Sequence, residues 1–161
     1  MRREDITLVV SHTGWLDTDD DPRQPTLSLR LDDAAETLSE RLESKDGETL
    51  AAGEIDVTVR LHDDLQDPEA TGVVAVTNRI TGEYVLECSA GADTILQFAR
   101  AARRYGEASG GDTRCRVDLR ATDDAGEETS VATYDKRTLL VYGESGELLR
   151  EHSLIPSGVE I

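Results

Sequence analysis

Apolar and polar residues alternate with a period of two along most of this chain. Ile55, Val57, Val59 and Leu61 alternate with Asp56, Thr58, Arg60 and His62; Cys115, Val117, Leu119 and Ala121 alternate with Arg114, Arg116, Asp118 and Arg120. Both stretches read as half-buried strands, one face on a core and the other in water, the habit of antiparallel sheets. Weaker alternation predicts further strands at 5–11, 25–31, 72–78, 82–88, 130–135, 137–143 and 147–154, the last two as a hairpin around Gly143 and Gly146.

Two segments switch to the helical period. In the first, Ala34, Ala35, Leu38 and Leu42 form an apolar stripe, with Asp33 and Glu36 at capping-box spacing and Lys45 and Gly47 at the far end. In the second, 92–105, the stripe is Ile95, Phe98, Ala99, Ala102 and Tyr105; Asp93 lies in the first turn, Arg103 and Arg104 in the last, and Gly106 follows as a cap. A helix with one wet side needs a sheet to lie on. The expectation is an α+β fold: predominantly antiparallel sheet, as one large curved sheet or two smaller ones, with two helices packed on one face.

The order of elements fits a duplicated β-α-β-β unit. Leu27, Leu29, Leu31, Ala35, Glu36, Thr37 and Leu38 recur as Tyr84, Leu86, Cys88, Ala92, Asp93, Thr94 and Ile95, and Val57 and Leu61 echo in Val117 and Ala121. Any two strand-helix-strand units share some of this pattern. Connections are short or acidic, so residues 1–161 are expected to form a single domain.

Composition changes the picture of where the protein works. Thirty-four carboxylates face seventeen basic residues, all arginine except Lys45 and Lys136, for a formal charge of -17. Exposed like charges repel across a Debye length of about 10 Å at 0.1 M salt, which shrinks to about 3 Å at 1 M. The balance points to a high-salt cytoplasm, with no apolar export leader and no apolar run long enough to span a membrane. The acids are spread among the alternating segments, unlike a disordered acidic tail. Cys88 and Cys115 both fall on apolar positions and read as small core residues.

Catalytic and cofactor motifs are absent. Asp17, Asp19, Asp20 and Asp21 resemble a calcium loop, but the sixth and twelfth places hold Pro22 and Ser28 where an EF-hand needs glycine and glutamate. His12, His62 and His152 are scattered, without metal-ligand pairing. There is no GxSxG elbow, and Gly106–Gly111 lacks the Lys-Ser/Thr of a phosphate loop. No metal or cofactor is expected, and enzymatic activity is not favoured.

One stretch departs from the acidic background: Arg100, Arg103, Arg104, Arg114, Arg116 and Arg120 face only Glu107, Asp112 and Asp118. The plain reading is pairing with the protein's own acids, Asp56 or the Glu36, Glu40 and Glu43 face. The functional reading is a recess for phosphate or carboxylate, or a docking face for a partner. Nucleic acid is disfavoured, because the wet strand faces carry no stacking aromatics and molar salt suppresses counterion release. The tail 154–161 is the other candidate: Leu154, Ile155, Val159 and Ile161 are too apolar for a frayed end and read as a docked edge strand or a partner peptide.

The opening Met1–Asp5, the run Ala101–Gly106, the run Lys136–Tyr142 and the ending His152–Ile161 resemble a family of uncharacterised haloarchaeal proteins. That resemblance implies a salt-adapted cytoplasmic protein and transfers no site. The expected function is a non-enzymatic interaction or assembly module, as a homo-oligomer or with a protein partner and away from membranes. Its rival is a small-anion binder or enzyme using the same arginines. A concave pocket holding two of them with His62 or His152 favours the rival; a flat apolar patch favours assembly.

Overall fold

The computed structural model describes residues 5–18, 20–32, 35–109, 114–123 and 125–155. Eight strands and two helices follow the chain as β1 (Ile6–Ser11), β2 (Thr26–Leu31), α1 (Ala35–Arg41), β3 (Ile55–Leu61), β4 (Thr71–Asn78), β5 (Tyr84–Gly91), α2 (Ala92–Ser109), β6 (Cys115–Thr122), β7 (Glu128–Lys136) and β8 (Leu140–Tyr142). Short 3₁₀ turns stand at Gly14–Asp17, Ala52–Glu54 and Arg150–His152.

The strands form two four-stranded sheets, ordered β1-β2-β6-β7 and β5-β4-β3-β8. Most neighbours are antiparallel, but β2 runs parallel to β6 and β3 parallel to β8. The fold is α+β, as the pattern predicts. Each helix connects one sheet to the other: β2 leads through α1 to β3, and β5 through α2 to β6. The duplication is not confirmed by this topology. The leading strand β2 lies beside β6, whereas its counterpart β5 lies beside β4, and β3 takes β8 as its parallel neighbour.

Alternation became burial wherever it was regular. Ile55, Val57, Val59 and Leu61 on β3, Leu27, Leu29 and Leu31 on β2, and Cys115, Val117, Leu119 and Ala121 on β6 are all buried. They join Leu38 and Leu42 and the α2 stripe Ala92, Ile95, Phe98, Ala99 and Ala102 in one continuous core. Both helices therefore bury their apolar stripes in the same place. In β4 both faces are buried: Val74 and Val76 enter the core, and Val73 and Ala75 lie on the opposite face.

Two expectations need correction. Helix α2 runs on to Ser109, so Gly106 lies inside it and is not its cap. The strands predicted at 137–143 and 147–154 shrink to the three residues of β8, with isolated bridges from Tyr142 to Leu148 and from Leu139 to Leu154. Between those bridges the chain turns at Arg150–His152 because its carbonyls are captured by α2, as described below. The tight turn is retained, with Gly146 at φ 87°, a left-handed conformation that glycine adopts without a Cβ penalty.

The two sheets are fastened by a lysine. Lys136, only 6% exposed at the end of β7, donates from Nζ to Ala52 O at 2.7 Å and to Ile55 O at 2.8 Å. The clasp joins one sheet to the start of β3 in the other. Burial pushes its ammonium below the ordinary lysine value; nearby Arg79 adds to the effect, while Asp56 and Cys115 oppose it. On the same inward face of β7, the Tyr134 hydroxyl is buried and has no hydrogen-bond partner among the described residues. Cys115, opposite Lys136 in the ladder, is a free thiol pushed up to about 12, chiefly by burial.

Candidate functional site

The six candidate arginines separate into three settings. On α2, helical spacing puts Asp93, Leu96, Gln97, Arg100 and Arg103 on one side, away from the buried stripe. This side and the turn at Arg150–His152 enclose a recess of about 470 Å³, lined by Asp93, Arg100, Arg103, Glu151 and His152 among others. Arg103 builds its wall: Nη2 donates to Glu151 O at 2.8 Å and to Ser153 O at 2.7 Å. Ser153 in turn accepts from Val141 N at 2.9 Å and donates to Leu149 O at 2.7 Å, tying the segment to β8.

Two arginines and a histidine line this recess. The two carbonyl contacts engage Nη2 of Arg103, and Arg100 has no hydrogen bond or ion pair among the described residues. Guanidinium forks match the geometry of phosphate and carboxylate oxygens. Asp93 and Glu151 line the same space and set a limit on how much negative charge it accepts.

The strand arginines are occupied. On the outer face of β6, Arg116 Nε donates to Asp135 at 3.1 Å, and Arg120 donates from Nε to Glu128 at 2.6 Å and from Nη1 to Asp118 at 2.8 Å. Arg30, opposite Arg120 on β2, approaches Glu128 at 3.6 Å. Asp118 also accepts from Ser130 and Thr133. Burial alone would raise its carboxyl, but hydrogen bonds from Ser130, Arg120 and Thr133 outweigh that and hold it below the ordinary carboxylate range. Pairing with the protein's own acids is thus the state of these arginines, though with different acids from those expected: Asp56 is taken by Arg79.

Arg114 and Arg104 fall in neither set. Arg114 is half-buried and lies over the last turns of α2, where a Cβ at Gly106 would sit 2.7 Å from Arg114 Cγ. Arg104 is exposed. The recess on α2 is lined by Arg100 and Arg103 and by none of the strand arginines. Of the candidate tail, Leu154 is fully buried and exchanges hydrogen bonds with Leu139, and Ile155 is half-buried; Val159 and Ile161 lie outside the described residues.

A second recess, about 660 Å³, lies on the outer face of β3 and β4 and holds His62 with Arg60, Tyr84, Glu87 and Glu144, but none of the six arginines. Among the described residues no group of three or more His, Cys, Asp or Glu is placed to hold a metal ion, and no helix is long and apolar enough to cross a membrane. Helical spacing alone could have added Asp93 and Gln97 to the α2 set. Of the two histidines named as pocket partners, His152 is the one that lines this recess, and Glu151 carries no sequence signal because a tertiary contact brings it there.

No curated protein and no solved structure matches the chain. A family model matches residues 1–161, from end to end. The chain belongs to DUF5793, a family of unknown function.

Proposed function

We propose that this protein binds a small anion carrying a phosphate or carboxylate group, in the recess between α2 and the Arg150–His152 turn, and that it works in concentrated salt. The observation that carries the reading is that Arg100, Arg103 and His152 line one concavity. A concavity that holds two of the six arginines with a histidine favours anion binding over assembly. In the reading, Arg100 is the primary contact, because its guanidinium has no competing partner among the described residues. Arg103 contributes a second contact while holding the recess wall, and His152 closes the far side. The charge of -17 supports the second half of the proposal, since crowded carboxylates are tolerated best when dissolved ions screen them.

Calorimetric titration with inorganic phosphate in molar KCl tests this. One site is expected, with Arg100→Gln weakening it at least tenfold, Glu151→Gln tightening it by removing a repelling carboxylate, and Arg116→Gln leaving it unchanged. Absence of binding at millimolar phosphate, or equal affinity for Arg100→Gln, overturns the reading.

A further inference from the structure

Three of the four sheet edges are covered. β1 lies beside β5, where Cys88 Sγ reaches Ile6 O at 3.6 Å, so these two edges face one another. The outer edge of β8 is taken by the returning chain: Leu149 N donates to Val141 O, and Tyr142 bridges to Leu148. The fourth edge is β7, which ends its sheet and is the longest strand at 9 residues. Among the described residues no strand pairs with its outer side.

The usual protections of an exposed edge are incomplete here. β7 contains no proline, and its lysine points into the core. Its carboxylates at Glu128 and Asp135 are matched by Arg120 and Arg116. A register shift opposite Leu119 and Arg120 leaves Val131 as an extra residue, which disturbs the N-terminal half and leaves Ala132–Lys136 regular. Lys136 O accepts from Arg114 N and so faces β6. Alternation along an antiparallel strand then turns the amide and carbonyl groups of Thr133 and Asp135 outward.

We infer that this edge pairs antiparallel with the same edge of a second copy of the chain, through the outward backbone groups of Thr133 and Asp135. The occupant follows from charge and symmetry. In a chain of net charge -17, the face beside β7 is nearer to balance, with Arg30, Arg116 and Arg120 against Asp32, Asp118, Glu128 and Asp135. Two copies can approach there with less repulsion than an average acidic surface would impose. An antiparallel strand pair about a twofold axis is also self-complementary by construction. The inference is independent of the anion recess, which uses other residues.

Light scattering across a concentration series in molar KCl, with amide hydrogen exchange resolved at Thr133 and Asp135, tests the inference. Dimer mass is expected at high concentration, with exchange at these two amides at least tenfold slower than in the dilute monomer. Thr133→Pro removes one outward N–H on an edge position that tolerates proline, and is expected to give a monomer with native circular dichroism. Thr133→Lys gives a second route to the monomer without a backbone change. A monomer at all concentrations overturns the inference, as does a monomer whose Thr133 and Asp135 amides stay protected at every concentration, which would assign the edge to another occupant.

Discussion

Replacing Lys136 with methionine keeps most of the side-chain volume and removes the ammonium that joins the two sheets. Two short charge-assisted hydrogen bonds, to Ala52 O and Ile55 O, are lost. Such bonds contribute about 1.5–3 kcal/mol each, so the loss is about 3–6 kcal/mol before any relief. Methionine escapes the desolvation that an ammonium suffers at this site, which returns part of it. The expected net destabilisation is about 2–4 kcal/mol, read by denaturant unfolding in molar KCl against wild type. The pH dependence has a definite sign. Because burial lowers the folded value of Lys136, the unfolded chain holds this proton more firmly, and wild-type stability rises with pH between the folded value and the unfolded value of about 10.4. The margin of wild type over Lys136→Met therefore widens as pH rises through that window and narrows as it falls. A methionine variant at least as stable as wild type, or a margin that shrinks with rising pH, would refute the reasoning.

Other outcomes follow from the packing. Gly72→Ala places a Cβ 2.9 Å from the backbone oxygen of Arg60, which cannot swing aside, so a loss of about 1–3 kcal/mol is expected in the same unfolding assay. Cys88 and Cys115 are both buried with thiols pushed up by burial, so a thiol reagent at pH 8 should label neither in the native protein and both in denaturant; rapid native labelling would contradict their placement. The thermal midpoint should fall as KCl drops from molar to millimolar, since the screening length grows from about 3 Å to tens of Å. An unchanged midpoint would remove the case for a salt-adapted protein.

The strands most legible in the sequence were those whose alternation ran unbroken, β3 and β6, because burial of one face imposes period two directly on the residues. Sheet partners were not legible. The parallel pairing of β2 with β6 and of β3 with β8 depends on how helices carry the chain between sheets, and no local signal encodes it. Lys136 was within reach: Tyr134 and Lys136 share a face two residues apart, but ending the predicted strand at 135 hid the lysine's inward direction. At the candidate site, Arg100 and Arg103 stood out against the acidic background. His152 was expected only as one of two histidines that such a pocket could hold, and Glu151 gave no signal, because 147–154 reads as a strand whereas two of its carbonyls are held by Arg103.

The anion-binding proposal is tested most directly by the guanidinium and imidazole resonances of Arg100, Arg103 and His152 during titration with inorganic phosphate at constant ionic strength in molar KCl. Saturable shifts of Arg100 and Arg103 with a common midpoint are expected, accompanied by His152, while Arg116 and Arg120 stay still. Linear, non-saturating drift shared by all arginines would contradict it.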